Sequence, residues 1–202
     1  MRNLTVEQML DKLPKNKCKY NGCQFEKQNL DLVKMHEIEC KYRLVNCGKC
    51  DTEIALVKLP EHLTSNHHNP PFTIILGEEQ NYFFSRARFF DNHQPLECDG
   101  KYFYINQKEY TKNLVMFWIS FSGSQGDANK YEYMLKIKST EPQPDYLFTG
   151  ARRSVSCEVS HKEMKEKSTA LFIDKKLLQQ AAGRLTNPEA SNVKFRLMIK
   201  RR

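Results

Sequence analysis

The chain of 202 residues carries a formal net charge of +8, with 40% hydrophobic, 28% charged and 11% aromatic residues. That composition excludes a disordered or low-complexity polymer, and the length is ample for a hydrophobic core. A mean hydropathy of −0.68 and short apolar runs exclude a helical membrane span, and no apolar stretch follows Met1 to suggest a secretory leader. The basic balance admits acidic partners without requiring them.

In chain order, residues 2–13 place Leu4, Met9, Leu10 and Leu13 near helical spacing, and Pro14 ends the pattern. Residues 1–17 are expected to be a partly helical linker. Residues 18–69 hold five of the seven cysteines, and His67 to Pro71 form a polar, proline-marked junction. Residues 70–202 carry short aromatic or β-branched runs at 72–76, 82–90, 101–105, 114–121, 131–139, 153–159, 168–173 and 193–199. Turn signals at Asp99-Gly100, Gly123 to Asp127, Pro142 to Pro144 and Asn187-Pro188 separate them. The expected fold is mostly β, an antiparallel β-sandwich preceded by two small α+β metal modules. One helix is expected from Asp174 through Leu177, Leu178 and Ala181, stopping near Gly183. The first 70 residues hold 11 basic and 9 acidic side chains, the rest 21 and 15, so the basic excess lies mainly on the sandwich.

The cysteines are Cys18, Cys23, Cys40, Cys47, Cys50, Cys98 and Cys157. An odd number without an export signal argues against a disulfide framework and for a reducing compartment, where clustered thiols serve as metal ligands. Two units stand in tandem: Cys18-x4-Cys23-x12-His36-x3-Cys40 (18–40) and Cys47-x2-Cys50-x11-His62-x4-His67 (47–67). Each offers a short loop with two cysteines, then a pair near helical spacing that projects two ligands from one face. Short helices are expected at 31–39 and 58–65, with small hairpins before them. Four N/S ligands complete a zinc tetrahedron and leave no open position, so two structural zinc ions per chain are expected, their binding coupled to folding. His67 is the preferred fourth ligand of the second site, with His68 as its competitor.

Nucleic acid is not expected as a partner, and a zinc-finger nucleic-acid-binding protein is the weaker alternative. Only residues 41–46 separate the units, and the predicted helices carry Asp31, Glu37, Glu39 and Glu61 where phosphate contacts need cations.

The runs CKYNGC (18–23), HEIECKYRLVNCGKC (36–50) and EHLTSNHH (61–68) resemble the paired zinc fingers of the seven-in-absentia (SINA/SIAH) ubiquitin ligases. The remainder is similar to their TRAF-like substrate-binding domain, at ILGEE (75–79), FYINQKEY (103–110) and STALFIDKKLLQQ (168–180), and RNLTVE (2–7) resembles the linker after their RING. The resemblance implies a region that binds substrate and adaptor proteins for ubiquitination and proteasomal degradation. It also implies a homodimer formed through the TRAF-like domain. The expected location is the cytoplasm, with the nucleus as the alternative. No RING ligand set precedes residue 18. The chain is therefore expected either to be a fragment of a RING-type ubiquitin ligase, which RNLTVE favours, or a RING-less adaptor. It would bind but not ligate, with no catalytic residue of its own, and a ubiquitin-conjugating enzyme would dock only through the RING.

In the family an extended peptide adds along a sandwich edge. The matching positions are Thr73, Ile75 and Leu76, and then Asn92 and Gln94, where the family's Trp and Met are replaced by polar side chains. Cys98 and Cys157 read as buried or half-buried sandwich residues, Trp118 as core, and His93 and His161 as surface residues.

Overall fold

A computed structural model describes residues 14–50, 52–85, 92–138, 146–157, 159, 163, 169–181 and 192–202. The expected helix at 2–13, His161 and the stop near Gly183 lie outside them. The chain forms two compact units, Met1–Val45 with Glu53–Leu59, and Asn46–Thr52 with Pro60–Arg202.

In the first unit, β1 (Asn16–Lys17) pairs antiparallel with β2 (Glu26–Lys27), and α1 (Leu30–Glu39) follows. The Asn29 side chain caps α1 by accepting from the Asp31 N–H at 2.8 Å, and Asp31 sits where the helix dipole favours an anion. Cys40, extended at φ −60° and ψ 127°, ends it. The helix buries only Val33 among its apolar residues, while Leu30, Leu32, Met35 and Ile38 stay exposed. So little apolar burial does not hold a ten-residue helix in place by itself. β3 (Leu44–Asn46) and β4 (Glu53–Ala55) form a second two-stranded sheet, which a 3-10 turn at Leu56–Lys58 follows.

α2 (Leu59–His67) leads into the large unit. Its strands are β5 (Phe72–Thr73), β6 (Gln80–Ser85), β7 (Asn92–Cys98), β8 (Lys101–Glu109) and β9 (Leu114–Phe121). A short helix α3 (Gln125–Ala128) precedes β10 (Tyr131–Lys138), β11 (Tyr146–Arg153) and β12 (Val155–Ser156). β13 (Leu171–Asp174), α4 (Lys175–Ala181) and β14 (Asn192–Arg201) complete it. One sheet runs β11-β10-β14-β6, and the other runs β12-β9-β8-β7-β5 with β13 also on β9. Phe103, Ile105, Phe117 and Ile119 of the second sheet share one core with Tyr133, Leu135, Phe195 and Leu197 of the first, so the sheets pack face to face.

The pairing is not wholly antiparallel. β5 runs parallel to β7, and β12 parallel to β9, because the chain enters and leaves this sheet by crossing from elsewhere instead of by hairpins. β9 is also buried on both faces. Val115, Phe117, Ile119 and Phe121 point into the shared core, whereas Met116 and Trp118 pack with Val155 and Ala170 on the other side. Its continuous apolar sequence follows from that second cover. Trp118 is thus a core residue, but of the outer cluster. Cys98 is buried and Cys157 half-buried.

Two strands and a helix were not expected from the sequence. β7 is polar and contains a buried Pro95; it pairs with β8 along its whole length and with β5 at Leu96 and Glu97. β11 fills part of a stretch read as loop, and α3 forms where Gly123 to Asp127 read as a turn, because Ser124 caps it. The run at 72–76 is a strand only over Phe72–Thr73.

Candidate metal centres

The first centre is assembled from one loop and one helix. Cys18 and Cys23 flank a turn in which Gly22 takes φ +85°, a conformation that L side chains rarely adopt. Cys18 N–H donates to Phe25 O at 3.0 Å and Cys23 N–H to Tyr20 O at 3.2 Å, which folds the loop back on itself. α1 supplies His36 and then Cys40 one turn on. The Phe25 ring stacks on His36 with centroids 3.9 Å apart and fixes the imidazole plane. Backbone amides reach the sulfurs: Phe25 N–H to Cys23 Sγ at 3.5 Å and Tyr42 N–H to Cys40 Sγ at 3.4 Å. Such donors favour a thiolate. The Phe25 amide draws Cys23 down to about 7, whereas burial pushes Cys40 up to about 11. Glu37, next to His36, accepts the Lys19 N–H at 2.9 Å and ties the loop to the helix.

The second centre combines a turn after β3 with α2. Cys47 N–H donates to Thr52 O at 3.0 Å, closing a loop that carries Cys47 and Cys50. His62 and His67 come from α2. His68 takes φ +49° and ends the helix, its N–H bonded to Thr64 O at 3.1 Å; His67, and not His68, joins the cluster. A Cβ on Gly48 would stand 2.9 Å from the Tyr104 ring of β8, so only glycine lets this turn lie on the sheet. Asn69, just beyond the helix, donates to His93 O and accepts from Gln94 Nε2, each at 3.2 Å. Burial raises the Cys47 thiol and lowers His67, the latter helped by His62 and Lys49. Burial also lowers the Lys49 ammonium.

In each quartet all four ligand atoms lie within 4.8 Å of one another. A tetrahedron with zinc–sulfur bonds of about 2.3 Å and zinc–nitrogen bonds of about 2.0–2.1 Å has S···S, S···N and N···N edges of about 3.8, 3.6 and 3.3 Å. The observed edges are Cys18 Sγ to Cys40 Sγ 3.8 Å, Cys23 Sγ to His36 Nε2 3.2 Å, Cys47 Sγ to His67 Nε2 3.5 Å, Cys50 Sγ to His62 Nε2 3.3 Å and His62 Nε2 to His67 Nε2 3.2 Å. Disulfide sulfurs stand about 2.05 Å apart, so the Cys18–Cys40 separation is that of two ligands around an ion. The eight residues Cys18, Cys23, His36, Cys40, Cys47, Cys50, His62 and His67 thus form two groups that can each hold one metal ion.

The expected peptide positions are more dispersed. Thr73 is exposed on β5, Ile75 is exposed beyond it, and Leu76 packs on the shared core. Asn92 opens β7, and Gln94 is engaged by Asn69. His93 is a correction: it is half-buried and its Nδ1 meets Asn106 Oδ1 at 2.5 Å. Asn106, buried on the outer face of β8, donates to Ser120 Oγ at 2.8 Å, and the Cys157 thiol reaches the same hydroxyl at 3.6 Å. This polar line crosses three strands and is set by register, so spacing along the sequence carries no sign of it.

The chain matches no protein-family model and shows no significant similarity to any curated protein.

Proposed function

We propose that this chain is the target-binding region of a seven-in-absentia-type ubiquitin ligase: two structural zinc sites followed by a TRAF-like β-sandwich. The observation that carries the reading is the tandem of two closed N/S quartets ahead of a two-sheet β unit. Cys18, Cys23, His36 and Cys40 hold one ion, and Cys47, Cys50, His62 and His67 the other. Thiolate and imidazole donors at these separations suit zinc, and four protein ligands per ion leave no position for substrate or water. Bound zinc supplies cross-linking and not catalysis. In the first unit it fastens α1, whose apolar burial is otherwise so small.

On this reading the sandwich selects substrate or adaptor proteins through short extended peptides, at an edge that includes Thr73, Ile75, Leu76, Asn92 and Gln94. It forms the homodimer and works in the cytoplasm and nucleus, while a RING on the full-length protein recruits the conjugating enzyme. The test is turnover. Proteins cross-linked to this region in its own cells are expected to live longer when the gene is deleted. Partners that bind but keep their half-life would contradict the ligase reading and leave an adaptor.

A further inference from the structure

The basic excess of the sandwich has a focus at the end of the β11-β10-β14-β6 sheet. A cleft of about 580 Å³ opens there, lined by Arg152 and Arg153 of β11, Arg202 after β14, Glu132 of β10, Thr169, and Gln125 and Asn129 around α3. That volume lies within the usual range of ligand sites, about 300–1,000 Å³. Its lining is polar and cationic, not apolar.

The charges in the cleft do not cancel. Glu132 is matched by Lys200 Nζ at 2.9 Å and Arg202 Nε at 3.7 Å, and Lys200 first, then Arg202 and its cross-strand neighbour Arg153, hold its carboxyl below the usual range. Arg152 donates from Nη1 to the backbone O of Ala151 at 2.8 Å, which leaves most of its guanidinium donors for a ligand. Among the described lining residues, Arg152, Arg153 and Arg202 share the one carboxylate of Glu132, which leaves a net excess of two positive charges.

Neutral donors are oriented too. Ser156 N–H donates to Gln125 Oε1 at 2.9 Å, so the Gln125 amide nitrogen faces Asn129 and donates to its Oδ1 at 2.7 Å. That assigns the Asn129 Oδ1 as an acceptor and leaves its NH2 as a donor.

We propose that this cleft binds a phosphorylated side chain of a protein partner. A phosphate monoester carries about −1.5 to −2 charge near neutral pH, which matches that net excess, and its three oxygens suit guanidinium forks. A carboxylate would leave one cation unmatched. A nucleic-acid backbone would meet Glu132 on the wall where it needs a continued cationic track. The inference stands on the sandwich alone and does not depend on the zinc or ubiquitin reading.

The test is a titration of the zinc-loaded 202-residue chain. The probe is N-acetyl-phosphoserine amide, read on the arginine side-chain Nε–H resonances. Saturable shifts at Arg152 and Arg153 are expected, and Arg152→Gln or Arg153→Gln, each melting as the parent does, should weaken binding about five- to tenfold. Arg152→Lys should recover part of the loss. Binding unchanged in the double glutamine variant would overturn the proposal. So would equal affinity for N-acetyl-aspartate amide, which removes the preference for phosphate. Equal affinity for inorganic phosphate would overturn the assignment to a protein partner. Tighter, steeply salt-dependent binding of a single-stranded oligonucleotide would replace it with a nucleic-acid site.

Discussion

Gly48 shows how much one side chain, or its absence, decides in this molecule. A β-carbon there would meet the face of Tyr104, a fully buried ring with no room to retreat. Gly48→Ala is therefore expected to destabilise by about 1–3 kcal/mol, the usual cost of overpacking. In a chain of this size that lowers the melting temperature by about 2–4 °C per kcal/mol. Gly126→Ala is the control: its β-carbon would lie 3.7 Å from Ser124 Oγ, in ordinary contact, and the variant should melt at or above the parent temperature. Equal losses from both would refute the close approach. At the same scale, replacing a ligand should remove one metal ion and not two. His36→Ala also forfeits the stacking on Phe25, and Cys23→Ser the sulfur that two groups contact. Either is expected to unfold the first centre while the sandwich keeps its own thermal transition. Retained structure at residues 14–40 in these variants, seen by amide exchange, would show the metal to be dispensable there.

Among the elements, those whose stabilising contacts are local were legible and those made by distant pairing were not. All eight candidate ligands follow from loop-and-helix spacing, and α1 and α2 lie within two residues of where that spacing puts them. β8, β9, β10 and β14 announce themselves as apolar runs. β7 does not, since NHQPLEC owes its extended form to seven pairings with β8 and not to its own propensity. β11 is legible only once β10 is in place to pair with it. The parallel pairing of β5 and the Gly48–Tyr104 approach likewise depend on what the rest of the fold brings alongside.

One consequence belongs to the strands. Glu79 accepts from Lys136 of β10 and Arg196 of β14, and Lys136, the nearer partner, is the main reason its carboxyl sits below the usual range. A folded-state value below the unfolded one adds stability that is fully present above the unfolded value of about 4.3. That stability is lost as pH falls through the lower, folded value. Glu79→Gln should therefore melt below the parent at neutral pH, and the difference should close on acidification. A gap that is constant with pH would contradict the ion-pair origin.

The whole molecule divides its stability between two devices. The sandwich has a continuous aromatic and aliphatic core, from Phe103 and Phe117 to Tyr133 and Phe195, with Tyr133 anchored to Phe117 O at 3.3 Å and Thr169 O at 2.9 Å. The small N-terminal unit has Val33, Val45 and Leu56 among its few buried aliphatic side chains and needs another source of stability. Metal ligation is the source the geometry offers, because the free energy of binding becomes free energy of folding when the site does not exist in the unfolded chain. The five cysteines between residues 18 and 50, with three histidines, are thus expected to be ligands. Native mass spectrometry combined with X-ray absorption on the purified chain tests this most directly. Two zinc ions per chain are expected, with five sulfur and three nitrogen ligands over the pair. One ion, none, or an oxygen-rich shell would contradict this.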